Sequence, residues 1–271
     1  MKEFYIGVET ITNIPYAKEY FMFSITQLMK RKTNFDSMGK TWMLDSGGFT
    51  MLHKYGKYLM TVEEYLKKVD FLKPTYFIIM DWMCEPTCIC KTGKTVKKHI
   101  ELTVQNHINI KDKNYTSSQL VGSIQGWNIE DYLYCIDLLK KYGLIEERMA
   151  LGTMCKRQKS SEMIKYITII RENLPSWVKL HGLGIKIGFF KYFTATKMLY
   201  SADSMAWSYE ARFLGKCLKD KMNNCLINNM KCFRKSKNCA NCGVYMRDWL
   251  ERVEKIINYD KSNRNITEWM L

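Results

Sequence analysis

An α/β chain built as a (β/α)8 barrel of the TIM type is predicted by three observations. Short apolar runs recur along the 271 residues, stretches of helical period separate them, and polar residues end many of the runs instead of gathering at one crevice. No Gly-rich dinucleotide fingerprint follows the first run, which disfavours an open doubly wound sheet.

The runs, in order, are FYIGVE (4–9), TWMLDSGG (41–48), YFIIMDW (76–82), LVGSIQGW (120–127), RMALGT (148–153), VKLHGLG (178–184) and SADSMAWS (201–208). Several are apolar on both faces, as a parallel sheet covered by helices requires. They make seven convincing strands, so the eighth is irregular or hidden in a stretch that reads as loop. Helical period marks TVEEYLKKVDFL (61–72), NIEDYLYCIDLLKKYG (128–143) and SSEMIKYITIIRENL (160–174), with Asn128 and Ser160 as N-caps and Gly143 as a stop. The barrel is assigned to residues 1–213. From Leu214 the chain turns basic, Asn-rich and Cys-rich, then ends in the amphipathic stretch YMRDWLERVEKIINY; residues 214–271 read as a small zinc-binding appendage with a partly ordered tail.

With 42 Lys and Arg against 27 Asp and Glu, the formal charge of +15 favours an anionic partner, nucleic acid first. The plain alternative is biased Lys and Asn usage. Ten cysteines are too sparse for a disulfide miniprotein and suit a reducing compartment with one metal site. No apolar run approaches the roughly 20 residues that span a bilayer, and MKEFYIGVET lacks a signal-peptide core. The expectation is a mature, soluble, cytoplasmic protein with no membrane partner.

Reacting groups in such barrels project from the C-terminal ends of strands. Those ends are Asp45, Asp81, Gln125, Gly152, Gly184 and Asp203, so carboxylates from three strands converge on one mouth. A single Asp after a strand is commonly a cap or turn former. Three beside Gly-Gly and Gln-Gly neighbours point to a site. Gly47 and Gly48 would let backbone approach a flat ligand and offer it bare N–H groups, with Phe49 stacking on it. A tight turn with Phe49 in the core explains these residues equally well.

DSGGFT is similar to the DSGGFQ motif of tRNA-guanine transglycosylases, SIQGW resembles their VQGG segment, and ALGT takes the place of their GLAVG loop. IIMDWMCEP, KLHGLGIK, SADSMAWSYEAR and CANCGVYMRDW resemble more closely the phage and bacterial DNA-modifying branch, the deazapurine DNA transglycosylases of DpdA type. The likeness runs over roughly residues 40 to 250. It implies that guanine in DNA is exchanged for a free 7-deazaguanine, such as 7-cyano-7-deazaguanine, through a covalent aspartyl-glycosyl intermediate. Asp203 would be the nucleophile, Asp45 the general acid and base, and Asp81 the reader of the guanine N1/N2 edge. Gln125 with the Gly126 and Gly152 backbones would hold the O6 side, and Ser46 adds a contact. Thr50 and Trp127 depart from the motifs, and no FDC segment frames Asp203.

Cys239 and Cys242 have the C-x2-C spacing of one tetrahedral zinc, with Cys225 and Cys232 upstream as partners in a structural site and Cys217 in reserve. The resemblance implies three Cys and a distal His, from which an all-cysteine set departs. Cys84, Cys88 and Cys90 form a rival cluster that would crowd the base pocket. His99 and His181 fit hydrogen-bonded structural roles better than substrate contact. KTGKTVKKH lacks the phosphate-loop spacing.

Lys91, Lys94, Lys97 and Lys98, and Lys231, Arg234, Lys235 and Lys237, are two candidate phosphate-binding clusters. Trp82, Trp127 and Trp207 are candidate stacking surfaces, at least one of them core. Duplex DNA as substrate would require extrusion of the guanine. Two other functions stay open: a tRNA-guanine transglycosylase, and a non-catalytic nucleic-acid-binding barrel that supports a partner. Accessory proteins or a homodimer are compatible with the sequence, as is a phage gene expressed in its host's cytoplasm.

Overall fold

Eight short strands rich in aromatic, Met and β-branched residues pair in parallel and close on themselves: β1 Glu3–Gly7, β2 Tyr20–Ser24, β3 Thr41–Asp45, β4 Tyr76–Ile78, β5 Gln119–Ile124, β6 Arg148–Leu151, β7 Lys179–Gly182 and β8 Ser201–Ser204. The structure, a computed structural model, describes residues 1–111, 113, 117–155, 157, 159–192, 197–213, 222, 224, 225 and 239–262. Strand order follows chain order all the way round, with β8 against β1. The predicted (β/α)8 barrel is what forms.

The hidden strand is β2, sequence YFMFS, which carries no polar turn signal of its own. Its alternation is nonetheless real. Met22 joins Tyr5, Met43, Ile78, Val121 and Ala150 in a buried cluster inside the barrel, while Phe21 and Phe23 pack outward into the larger core with Trp42 and Phe35. Register pairs Ser24 with Asp45 across β2 and β3, and Tyr5 with Asp203 across β1 and β8.

At the N-terminal end, the Arg148 guanidinium donates to both Glu3 carboxylate oxygens at 2.8 and 3.0 Å and lies 4.1 Å from the Tyr76 ring. Tyr5 donates to the same carboxylate at 2.9 Å. This buried pair ties β1 to β6 across the barrel interior. Removing one partner of such a pair costs about 3–5 kcal/mol, because the other charge stays buried alone.

The outer layer comprises α1 Ile25–Leu28, α2 Gly48–Tyr55, α3 Val62–Leu72, α4 Pro86–Thr92, α5 Val96–Lys111, α6 Ile129–Lys141, α7 Ser160–Glu172, α8 Ala206–Phe213 and α9 Gly243–Ser262. Capping boxes start α3 (Thr61 with Glu64) and α6 (Asn128 with Asp131), and Gly143 takes φ +64° just past α6. Ser160 is a correction to the expected N-cap: Lys159 holds that position without a side-chain bond, because α7 already begins at Ser160.

Helix α9 sits where the sequence predicts an amphipathic helix, and its apolar face does not stand apart. Tyr245, Met246, Trp249, Leu250, Val253 and Ile257 belong to the same buried cluster as Ile6 and Phe190 of the barrel. The predicted boundary at 213/214, the reserve ligand Cys217, Cys232, the basic residues Lys231, Arg234, Lys235 and Lys237, and the tail from 263 lie outside the described residues. Among the described residues, no helix is long and apolar enough to cross a membrane.

Candidate active site

Strand alternation delivers the carboxylates to the C-terminal mouth. Met43 points into the barrel, so Asp45 two residues later faces the same way, at the strand's last position. Asp203 enters similarly from β8, and Asp81 comes from the segment that continues β4. The three are close enough to feel one another: the Asp45 pKa is pushed up to about 7 by burial first, then by the negative charges of Asp81 and, more weakly, Asp203. The Gly47 N–H, donating to Asp45 Oδ2 at 2.9 Å, opposes that rise. Asp45 therefore holds its proton far nearer to neutral pH than an ordinary aspartate does.

Asp81 is almost fully buried and accepts from Ser46 Oγ at 2.9 Å, Ser123 Oγ at 3.0 Å and the Gln125 side-chain amide. Burial raises its pKa, and these three donors work against the rise. The Gln125 carbonyl in turn accepts from Thr153 Oγ1 at 2.6 Å. The side chains of Ser46, Asp81, Ser123, Gln125 and Thr153 thus form one hydrogen-bonded arc contributed by β3, β4, β5 and β6.

Asp203 is 8% exposed and differently held. Its Oδ1 accepts from the Gly184 N–H at 2.8 Å and lies 3.3 Å from His181 Nε2, whose Nδ1 is 2.9 Å from Ser201 Oγ. The two contacts, one at each ring nitrogen, fix the orientation of the His181 ring.

The glycines serve this frame directly. Gly47 has φ +72°, in the left-handed region, which lets the chain turn sharply from β3 into α2. A Cβ on Gly48 would meet Tyr58 Oη at 2.6 Å and the Asp81 carbonyl at 2.7 Å, so its bareness admits Tyr58, which donates to that carbonyl at 2.6 Å. The Gly152 N–H donates to the Ile124 carbonyl at 3.0 Å, and a Cβ there would overlap the Gln125 amide. Gly126 is packed against the first turn of α6. Phe49 is half-buried and stacks on His53, with centroids 5.5 Å apart.

Residues 1–270 match the model of one family, DeoxyPurine in DNA protein A (DpdA). The chain belongs to the DpdA family. No curated protein matches it. Membership makes this a transglycosylase-type enzyme of DNA modification by deazapurine insertion, with DNA as its substrate partner.

Other residues singled out in this DpdA-family chain divide by burial. His99 is buried, 2.6 Å from the Met83 carbonyl and 2.7 Å from Thr92 Oγ1, and burial lowers its pKa, so it pins α4 to α5. Trp207 is fully buried and donates to the Gly7 carbonyl at 2.7 Å: it is core. Trp82 and Trp127 are partly exposed, under the Lys94 ammonium and the Arg157 guanidinium respectively. Lys91, Lys94, Lys97 and Lys98 are exposed. Ser123 and Thr153 are members of the arc that lie inside SIQGW and ALGT without a role assigned from the sequence, and Tyr58, which bonds Ser46 and the Asp81 carbonyl, lies outside the motifs.

Cys225, Cys239 and Cys242 are buried, and a turn closed by the Cys242 N–H on the Cys239 carbonyl at 2.9 Å leads directly into α9. Among the described residues, no group of three or more His, Cys, Asp or Glu is placed to hold a metal, whether here or at Cys84, Cys88 and Cys90. The C-x2-C turn fits two vertices of a zinc site; the described ligands alone do not complete it.

Proposed function

We propose that the mouth exchanges guanine in DNA for a free 7-deazaguanine, with Asp203 as nucleophile and Asp45 as acid and base. The observation that carries this is the division of labour among three carboxylates: one whose pKa burial and its neighbours raise, one saturated by donors, one held at the barrel's far side by a backbone amide and a histidine.

The steps balance. An Asp203 oxygen bonds to C1′ of the deoxyribose as the C1′–N9 bond breaks, and the Asp45 carboxyl proton goes to the departing guanine. The free 7-deazaguanine then loses its N9 proton to the Asp45 carboxylate, N9 bonds to C1′, and the Asp203 ester bond breaks. Two displacements give retention and return both side chains to their starting forms. Guanine's entry exchanges partners: Asp81 takes its N1 and N2 donors, while the Gln125 amide turns from Asp81 to O6, so no buried polar group is left unpaired.

The Gly184 N–H and His181 stabilise the Asp203 carboxylate and aim it. His181 acts through Asp203 and is a positioning residue. Zinc, held by Cys225, Cys232, Cys239 and Cys242, would be structural and takes no part in these steps.

Incubation with radiolabelled guanine and either DNA or tRNA tests the assignment. Label entering DNA alone is expected; label in tRNA alone, or in neither polymer, overturns it. Asp203→Asn should abolish the protein–DNA adduct that mass spectrometry detects in the wild type. His181→Phe should lower kcat roughly ten- to a hundredfold, as loss of a hydrogen bond to a charged group does, at unchanged KM for DNA, with partial rescue by His181→Gln. Equal kcat in His181→Phe would remove the positioning role.

A further inference from the structure

A groove of about 600 Å³ lies on the barrel's outer side between α1 and α3, lined by Met29, Leu59, Met60 and Phe71 together with Arg31, Lys32, Lys67 and Lys68. Its volume falls within the roughly 300–1,000 Å³ of ligand pockets. The lining carboxylate is Glu64, whose oxygen accepts from the Thr61 backbone N–H at 2.8 Å in the α3 capping box. Lys68 donates to the Arg31 carbonyl at 3.0 Å and lies over the Phe71 ring, and Arg31 Nη2 donates to the Asn34 carbonyl at 3.2 Å, so the positive charge turned outward is chiefly that of Lys32 and Lys67. Lys32 and Lys67 are exposed, and the buried Arg31 Nε has no hydrogen-bond partner among the described residues.

The groove adjoins the mouth along the chain. Met29 to Lys32 follow β2 by one helical turn, and Leu59 and Met60 lie in the loop between α2, which starts at the end of β3, and α3. Tyr58, the residue before Leu59, bonds Ser46 and the Asp81 carbonyl inside the site.

We infer that this groove holds the single-stranded flank of the DNA whose guanine enters the mouth, an inference that rests on the base-exchange function proposed above. Cations beside exposed apolar surface match bare nucleotides: phosphates meet the ammonium and guanidinium groups while unstacked base faces cover Leu59 and Phe71. A duplex offers phosphates but no base faces. Extrusion of the target nucleotide frees the neighbouring bases to lie there.

Fluorescence anisotropy with a labelled single-stranded oligonucleotide, titrated at several salt concentrations, tests it. Lys32→Glu with Lys67→Glu should weaken binding and reduce the slope of log affinity against log salt by about 1.4, two contacts at about 0.7 each. Leu59→Ser should weaken binding at every salt concentration with the slope unchanged. Lys140→Glu with Lys141→Glu, at the exposed far end of α6, makes the same change in net charge and should leave the slope near wild type. Binding by the groove variant equal to that of the α6 variant overturns the inference, as does a loss seen only with duplex DNA. Displacement of the oligonucleotide by polyglutamate from wild type but not from the groove variant would assign the groove to an acidic peptide instead. DNA binding that fails in the groove variant of an enzyme that exchanges no label keeps the groove and removes the base-exchange function. Label exchange with unaltered DNA binding does the reverse.

Discussion

At the scale of single residues, Asp45 has the most distinctive chemistry. Its folded pKa of about 7 lies above the ordinary Asp value of about 3.9, so between those limits the native state binds more protons than the unfolded chain. Its ionisation therefore destabilises the fold as pH rises through that window. Asp45→Asn removes the charge but can still accept from Gly47, and it should gain stability over the wild type on going from pH 5 to pH 8. Urea denaturation at the two values measures this; a gap between the proteins that is the same at both would show that Asp45 is not perturbed. Asp45, Asp81 and Asp203 were legible because each ends an apolar run. Tyr58, Ser123 and Thr153 were not, since their bearing on Asp81 and Gln125 exists only once four strands have closed around the mouth.

At the scale of elements, seven strands could be read because each runs into Gly, Asp, Gln or a similar polar break, whereas β2 passes directly into α1 through a Ser24 capping box. Helix ends were legible where side chains cap them, as at Asn128, and misplaced by one residue at α7, where no side chain does. Gly152 shows how a strand end and a functional side chain depend on each other. The Gln125 amide occupies the space of the absent Cβ, so Gly152→Ala displaces that amide and breaks its bond to Asp81. A buried Asp that loses one donor costs about 1–3 kcal/mol. The variant should fold with lowered thermal stability, and its KM for the free base should rise at least tenfold, read from guanine exchange kinetics. Unaltered KM would mean that Gln125 does not face the base.

At the scale of the whole molecule, the packing of the C-terminal helix on the barrel has a thermodynamic consequence. Helix α9 puts Met246, Trp249, Leu250 and Val253 into the core that also holds Ile6 and Phe190, and Tyr245 and Trp249 both donate to Glu210 of α8, at 2.6 and 3.1 Å. A segment bound through a shared core melts with that core. If Cys225, Cys232, Cys239 and Cys242 hold zinc, the metal stabilises the start of α9 and, through it, the barrel wall between β8 and β1. The purified protein should then contain one zinc per chain by elemental analysis. Chelation, or Cys239→Ser, should lower the temperature of a single calorimetric transition. Two separate transitions would make the C-terminal segment an independent unit despite its packing, and a metal-free protein of unchanged stability would remove the zinc role from the four cysteines.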